Sequence, residues 1–497
     1  MKKIALHNLG CKVNSYEIEV MQENLEKNGY IIVPFAPGAD VYIINTCTVT
    51  NIADRKSRQM LHKAKKMNPE AVVVAVGCYV QTGTENVKKD ECIDLAVGNN
   101  KKKDIVPILE EYLKEKELNQ QDKTLHETTI PDINDGKQEY EEMTLTHAGE
   151  HTRAHIKIQD GCNQFCSYCI IPYARGRVRS RKEEDILREV KGLVAAGYRE
   201  VVVTGIHLSS YGLDFISKDS GDYRRVGTSQ AEMPASEVGD AREREKHSLS
   251  VSHRRQGSDI RTQAYQKGYL LDILEKINEI EGLERIRIGS LEPRIITEKF
   301  ANKLKSLDKI CPHFHLSLQS GCNETLKRMN RHYTAEEFKE KVEILRNVFE
   351  NPAITTDVIV GFPGETEEEF KETYAFLEDI SFYEMHIFKY SKRQGTVAAA
   401  RKDQVDDRIK TERSNLLLTM EQKQSAAYRE SCIGTKIRAL MEEVKEIQGK
   451  KYQVGYTETY VKVAVETTEE LSNQIIVGEA SGLLENEYLL VQNFKSQ

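Results

Sequence analysis

Asp160-Gly161-Cys162-Asn163-Gln164-Phe165-Cys166-Ser167-Tyr168-Cys169 packs three cysteines into a C-x3-C-x2-C run. Four-iron cubane clusters are held by thiolates, normally four of them. Three thiolates this close can hold three irons and leave the fourth open to a small molecule. On spacing alone a zinc site or a disulfide loop remains an alternative. A strand over Arg153 to Gln159 leads directly into the run, so the cysteines sit where a βα unit presents its ligand loop.

The chain around this run has 497 residues, which predicts two to four domains. Its 39% hydrophobic and 30% charged content suits a globular fold rather than a disordered one. No apolar run reaches membrane-spanning length, so no membrane partner is expected. Met1-Lys2-Lys3-Ile4-Ala5-Leu6-His7 reads as a first strand, not a secretion signal. Ten cysteines without such a signal point to a reducing, cytoplasmic setting and to metal ligation. A net charge of −7 gives no general attraction to nucleic acid, so any such binding would need local basic patches.

Residues 1–112 alternate apolar strands and helices, which predicts a parallel α/β sheet. The strands are Lys3 to Asn8, Val41 to Asn45 and Ala71 to Val76, with helices Ser15 to Lys27 and Ala53 to Met67. Cys11, Cys47 and Cys78 each follow one of these strands. In open parallel sheets the loops at the carboxyl ends of the strands converge on the ligand. Three thiols there can build a second three-cysteine cluster, although buried cysteine is also an ordinary core residue. Cys92, Cys311, Cys322 and Cys432 lack ligand spacing and read as structural thiols.

Residues 151–390 repeat the strand–helix alternation six times, with strands Arg153–Gln159, Glu200–Thr204, Arg285–Ser290, His313–Gln319, Ile354–Val360 and Glu384–Lys389. This predicts an open six-unit βα barrel with its site at the carboxyl ends of the strands. Residues 214–268 interrupt it. From 217 to 267 the only Ile, Leu, Val, Met or Phe are Val226, Met233, Val238, Leu249, Val251 and Ile260, too few to offset the entropy of ordering the segment. A disordered insertion is expected there, and a charged linker over 113–150. A helical connector over 391–431 precedes five short strand patterns in 432–497, which predict a small β-barrel of oligonucleotide-binding type.

These pieces together resemble the radical S-adenosylmethionine (SAM) methylthiotransferases. The resemblance rests on Gly10-Cys11-Lys12-Val13-Asn14, Asn45-Thr46-Cys47-Thr48-Val49, Gly77-Cys78, the C-x3-C-x2-C run, Ile171-Pro172-Tyr173-Ala174-Arg175-Gly176 and Arg179-Ser180-Arg181. It continues through Ser317-Leu318-Gln319-Ser320-Gly321, Asp357-Val358-Ile359-Val360-Gly361-Phe362-Pro363-Gly364-Glu365-Thr366 and Tyr390-Ser391-Lys392-Arg393-Gln394-Gly395-Thr396. The chain is most similar to the branch that acts on N6-threonylcarbamoyladenosine in tRNA. Sister branches act on isopentenyladenosine in tRNA or on an aspartate of a ribosomal protein, and a non-catalytic iron–sulfur RNA-binding protein is a reading of another class.

The resemblance implies two 4Fe-4S clusters and SAM as cofactors. Cys162, Cys166 and Cys169 would hold the cluster whose open iron SAM chelates, and from which one electron generates a 5′-deoxyadenosyl radical. Cys11, Cys47 and Cys78 would hold the cluster that supplies or relays sulfur. Gly361 and Pro363 would pack against SAM, with Gly205 similarly placed. Glu292 and Gln319, at strand ends, would add polar contacts, unless they are simply polar residues of a barrel rim. The terminal barrel is expected to be an RNA-binding TRAM domain, yet from Lys436 to Gln497 it has seven basic residues against ten acidic ones, and a structural or protein-binding barrel remains open.

Positive charge lies elsewhere, at Arg175, Arg177, Arg179, Arg181 and Lys182 after the run and at Arg55, Lys56, Arg58, Lys63, Lys65 and Lys66 after Cys47. Solvated helix faces explain most such runs. Here they flank both cysteine sets, and the first group is read as the RNA-binding one. The implied partners are a tRNA anticodon stem-loop, an electron donor and a sulfur source.

Overall fold

The computed structural model describes residues 1–118, 130–135, 138–146, 152–220 and 268–496. The N-terminal sheet is formed by β1 (Lys3–Asn8), β2 (Ile31–Val33), β3 (Val41–Thr46), β4 (Val72–Gly77) and β5 (Leu95–Val97), all parallel, in the order β2-β1-β3-β4-β5. Strands β3 and β4 are buried along their whole length, as expected of a parallel sheet covered on both faces. Ile4, Ile43, Val74 and Val76 meet Tyr16, Val20 and Leu25 of the helix Lys12–Lys27. Ala5, Tyr42, Ile44, Val73 and Ala75 meet Leu61 and Ala64 of the helix Asn51–Met67.

Six parallel strands follow: β6 (Arg153–Asp160), then, after the two-residue antiparallel β7 (Arg179–Ser180), β8 (Glu200–Gly205), β9 (Arg285–Ile288), β10 (His313–His315), β11 (Ala353–Val360) and β12 (Glu384–Lys389). They form two sheets, β7-β6-β8-β9 and β10-β11-β12. Parallel bridges Ile286↔Ile310 and Leu291↔Leu316 join them. β10 ends four residues short of the expected Gln319. Beyond His315 the chain keeps only bridges, and Gln319 turns to a φ of +75°.

The C-terminal strands β13 (Lys436–Ile447), β14 (Lys450–Thr457), β15 (Lys462–Val465), β16 (Ile475–Leu484) and β17 (Tyr488–Ser496) close into a barrel in the order β13-β14-β15-β17-β16. It packs under the central strands: Arg285 and Arg287 of β9 donate to the carbonyls of Arg438, Tyr456, Thr457 and Glu458.

Two expectations change. Residues 113–150 are not a simple charged tether. The helix Ile105–Leu118 runs into them, and Met143 and Leu145 are fully buried between domains. There Tyr16 Oη donates to the Met143 carbonyl, and Leu145 N–H donates to the Glu189 carboxylate. The insertion does not begin at 214. The helix Leu213–Ser220 crosses that point, and Phe215 packs edge-on to Tyr211 and Tyr269 at 5.9 and 5.7 Å. The rest of that stretch, 221–267, lies outside the described residues. Among the described residues no helix is long and apolar enough to cross a membrane.

Candidate functional site

Strands β1, β3 and β4 are neighbours in the sheet, and their registers pair Asn8 with Asn45 and Thr46 with Gly77. Cys11, Cys47 and Cys78 therefore leave the sheet side by side at one edge. Gly10, at φ +115°, passes so close to Cys47 that a Cβ there would lie 3.1 Å from its Sγ, so only glycine lets this backbone through. Burial pushes the Cys47 thiol up to about 11, and the neighbouring Cys78 and Cys11 add to it. Asn99 donates its amide to Cys78 Sγ at 3.4 Å.

The second set stands at the end of β6. Cys162 is buried, while Cys166 and Cys169 are half-buried. Burial raises the Cys169 thiol, and Cys166 and Cys162 raise it further, which places all three within electrostatic reach of one another. Gln164 N–H points at Cys162 Sγ (3.5 Å), and Arg331 Nη1 at Cys166 Sγ (3.4 Å). All ten cysteines are free. Both sets therefore offer three unpaired thiols with N–H donors aimed at sulfur. That donor chemistry fits iron–sulfur ligation, in which hydrogen bonds to sulfur tune the cluster.

A buried charge network joins the two sets. Glu17, on the helix that starts beside Cys11, receives Arg175 at 2.8 and 3.0 Å, Lys157 at 3.0 Å, and Lys102. Arg175 Nη1 also reaches Asp160, the last residue of β6, at 3.1 Å. Its Nη2 donates to Asn14 at 2.6 Å. Burial alone would raise the Glu17 carboxyl, but Arg175, Lys102 and Lys157 outweigh it and hold it well below the usual range. The charge of Arg175 also acts on Cys11, Cys47 and Cys78.

This corrects the RNA-binding expectation for three residues. Arg175, Arg179 and Arg181 are 1%, 3% and 0% exposed. Arg179 donates to the Arg175 carbonyl and faces Asp160, while Arg181 pairs with Glu189 and donates to Thr144. Arg175 ends the helix Ile171–Arg175, Arg179 lies on β7 and Arg181 follows that strand, and all three are buried. Arg177 and Lys182 are exposed, and the Arg177 guanidinium lies 4.4 Å over the Phe165 ring.

The residues expected to face SAM gather at the strand ends. Gly205 ends β8 and pairs with Gln159. Glu292, 4% exposed, accepts from Arg294 Nε at 2.6 Å. Gln319 is 8% exposed. Gly361 N–H donates to Glu365, which Arg413 clamps at 2.5 Å. A Cβ on Gly361 would fall 2.2 Å from Lys410 Cγ. Close packing against the helix Asp407–Ser431 thus accounts for that glycine by itself. Pro363 is buried in the same turn, and Phe362 lies edge-on to Tyr168 of the cysteine run at 6.4 Å.

Two residues carry more than their sequence context showed. Arg331 links Cys166 to the Ser317 carbonyl at 3.1 Å. Arg393 reaches across domains to Thr48, Asn51 and Asp54, each at 2.7 Å, and so pins the loop that follows Cys47. The stretch Tyr390–Thr396 entered the resemblance, but nothing local identifies its distant partners.

Residues 156–377 match the Radical SAM superfamily, and residues 3–98 match the uncharacterized protein family UPF0004. The chain is 37% identical over 477 residues to the threonylcarbamoyladenosine tRNA methylthiotransferase MtaB of Bacillus subtilis (strain 168), covering 96% of this chain and 93% of that one. Against the protein of the same description from Aquifex aeolicus (strain VF5) it is also 37% identical, covering 96% and 99%. It is 34% identical to a tRNA-2-methylthio-N(6)-dimethylallyladenosine synthase of Thermoanaerobacter sp. (strain X514), covering 90% and 83%. A match of this extent spans the N-terminal cysteines, the central cysteine run and the terminal barrel together, and the chain belongs to the radical SAM methylthiotransferase family.

Proposed function

We propose that this protein is a tRNA methylthiotransferase that places a methylthio group on C2 of N6-threonylcarbamoyladenosine beside the anticodon. One observation carries the reading: two three-thiol sets at the ends of two groups of parallel strands, tied together by the Glu17–Arg175–Asp160 network. The names of the two relatives at 37% identity favour this base. An aromatic C2–H is neither acidic nor electrophilic enough for polar substitution, so the chemistry belongs to cofactors and the protein positions them.

Cys162, Cys166 and Cys169 would hold one four-iron cluster and Cys11, Cys47 and Cys78 the other. When bound, the first with SAM supplies a carbon radical for hydrogen abstraction, and the second a place for sulfur. Arg331 holds Cys166 in place. Gly205, Glu292, Gln319, Gly361 and Pro363 would border SAM, and Arg177 and Lys182 would meet RNA phosphates. Arg175 fixes the first set against the second. An electron donor and a sulfur source are required from the cytoplasm.

In this reading the chain comprises an iron–sulfur domain (1–112), a connecting segment (113–150), an open six-unit βα barrel (151–390), a helical connector (391–431) and a terminal RNA-binding barrel of TRAM type (432–497). Nucleoside mass spectrometry of tRNA from cells with and without the chain tests the proposal. Loss of the 2-methylthio derivative of threonylcarbamoyladenosine is expected. Loss of methylthiolated isopentenyladenosine, or of a methylthio-aspartate in ribosomal protein, would replace it.

A further inference from the structure

The central strands turn a polar face inward. His313 and His315 alternate on β10, and Asp357 of β11 stands directly opposite His386 of β12 in the register. His315 Nε2 lies 3.3 Å from Asp357 Oδ2, and its Nδ1 lies 3.0 Å from Thr355 Oγ1. The rings of His315 and His386 stack at 5.7 Å. Lys12, the residue after Cys11, is an exposed residue whose charge lies within electrostatic reach of His313 and of Arg287, Arg153 and Glu200 on β9, β6 and β8. Burial, then the charges of Arg287 and Lys12, hold the His313 imidazole well below its usual range, so it is neutral.

Several of these groups lack partners. His313 is 7% exposed, and its Nδ1 has no hydrogen bond. Among the described residues Lys12 makes no ion pair, and His386 makes no side-chain hydrogen bond. The nearby acids are already engaged. Asp357 is held by His315, and Glu200 is shared by Arg287 (2.9 Å), Arg285 (3.6 Å) and Arg153 (3.8 Å). Among the described residues this cluster therefore offers a cation without an ion pair, the exposed His386 imidazole and the buried, unpaired His313 Nδ1. His313 Nδ1 is a buried polar atom without a partner, a deficit that a ligand oxygen relieves.

Resting on the substrate proposed above, we infer that Lys12, His313 and His386 form a subsite for the free carboxylate of the base's N6 threonyl arm. Asp357, fixed by His315, accepts from the arm's hydroxyl. An isopentenyl arm offers neither charge nor hydrogen bonds. It would desolvate these groups without pairing them, which is how a polar site rejects an apolar analogue.

The test uses the holoenzyme and anticodon stem-loop RNAs bearing the threonylcarbamoyl acid, its methyl ester or an isopentenyl group, with affinity read by fluorescence anisotropy. The acid should bind about tenfold tighter than the ester, equivalent to about 1.4 kcal/mol. Lys12→Gln and His386→Gln should each bring that ratio close to one while iron content is kept. Equal binding of acid and ester by the unaltered protein overturns the subsite, as does full discrimination in both variants. Stoichiometric non-iron divalent metal lost on His386→Gln would overturn it in favour of chelation by His315, Asp357 and His386. If the isopentenyl RNA alone becomes methylthiolated, the substrate proposal itself fails. If the threonylcarbamoyl RNA is modified yet acid and ester bind alike, only the subsite fails.

Discussion

The Arg175 guanidinium grips the Glu17 carboxylate with both ends, at 2.8 and 3.0 Å, with both side chains 1% exposed. One partner leaves the C-x3-C-x2-C loop and the other rides the helix that begins beside Cys11, so this fork sets the distance between the two thiol sets. A planar guanidinium meeting a carboxylate bidentately fixes orientation as well as separation.

Removing one member of such a pair leaves the other buried and uncompensated, at a cost of about 3–5 kcal/mol. Arg175→Gln should therefore lower the thermal midpoint clearly. Under conditions where the variant stays folded, methylthio transfer should fall more than SAM cleavage, because both thiol sets survive but their alignment does not. Lys157 and Lys102 still face Glu17, so the loss should fall toward the lower end of that range. An unchanged midpoint would show that the fork does not position the domains.

The cysteine assignments predict iron stoichiometry. Anaerobically reconstituted protein should hold about eight irons, from two four-iron clusters. Replacing Cys162, Cys166 and Cys169 by Ala should leave about four and abolish SAM cleavage. The triple Ala variant at Cys11, Cys47 and Cys78 should also keep about four, but cleave SAM without transferring sulfur. Full iron in the second variant would remove the N-terminal ligand assignment.

Acid stability should report on Glu200. Burial alone would raise this carboxyl, but Arg287, Arg153 and Arg285 bring it down to about 2. A folded-state value below the unfolded one means stability that is present above about pH 4.5 and lost as pH falls toward 2. The difference amounts to about 3 kcal/mol. The unaltered protein should lose stability steeply between about pH 4.5 and 2, and Glu200→Gln should flatten that stretch of the denaturation profile while lowering stability at neutral pH. Parallel profiles for the two proteins would refute the linkage.

Much of the site was legible because its signals are local or topological. The run Cys162–Cys169 is read from spacing, and the second thiol set from three cysteines each following a strand of one parallel sheet. The roles of the arginines were not legible. Arg175, Arg179 and Arg181 look like a basic patch in sequence, but Arg175 and Arg181 find partners as distant as Glu17 and Thr144, and only the fold shows that all three are buried. Edge strands β2 and β5, three residues each, are too short to show periodicity. In the charged linker, the alternation Met143-Thr144-Leu145 was the one local sign of a packed segment, and high charge around it masked the signal. Arg393 was invisible as a cross-domain clamp, because Asp54 lies 339 residues away.

RNA docking should depend on the cations that remain exposed. Arg177 covers Phe165, which meets Tyr173 edge-on at 6.2 Å, and Tyr173 is 41% exposed. Arg55 and Arg58 are exposed on the helix that follows Cys47. A guanidinium and two rings beside the cysteine run suit a splayed loop base, and the second patch suits its phosphates. Replacing Arg177, Arg55 and Arg58 by Gln should weaken binding to the anticodon stem-loop. For each phosphate deprived of its cation, the slope of log affinity against log salt should fall by roughly 0.7 to 0.9. Iron content should stay constant, since all six cysteines are kept. Arg175→Gln is the matched control: with its guanidinium buried, it should leave the salt slope as it was even where it weakens folding. A slope that responds to Arg175 and not to Arg177, Arg55 or Arg58 would place the RNA on the interior network and remove this face as the docking surface.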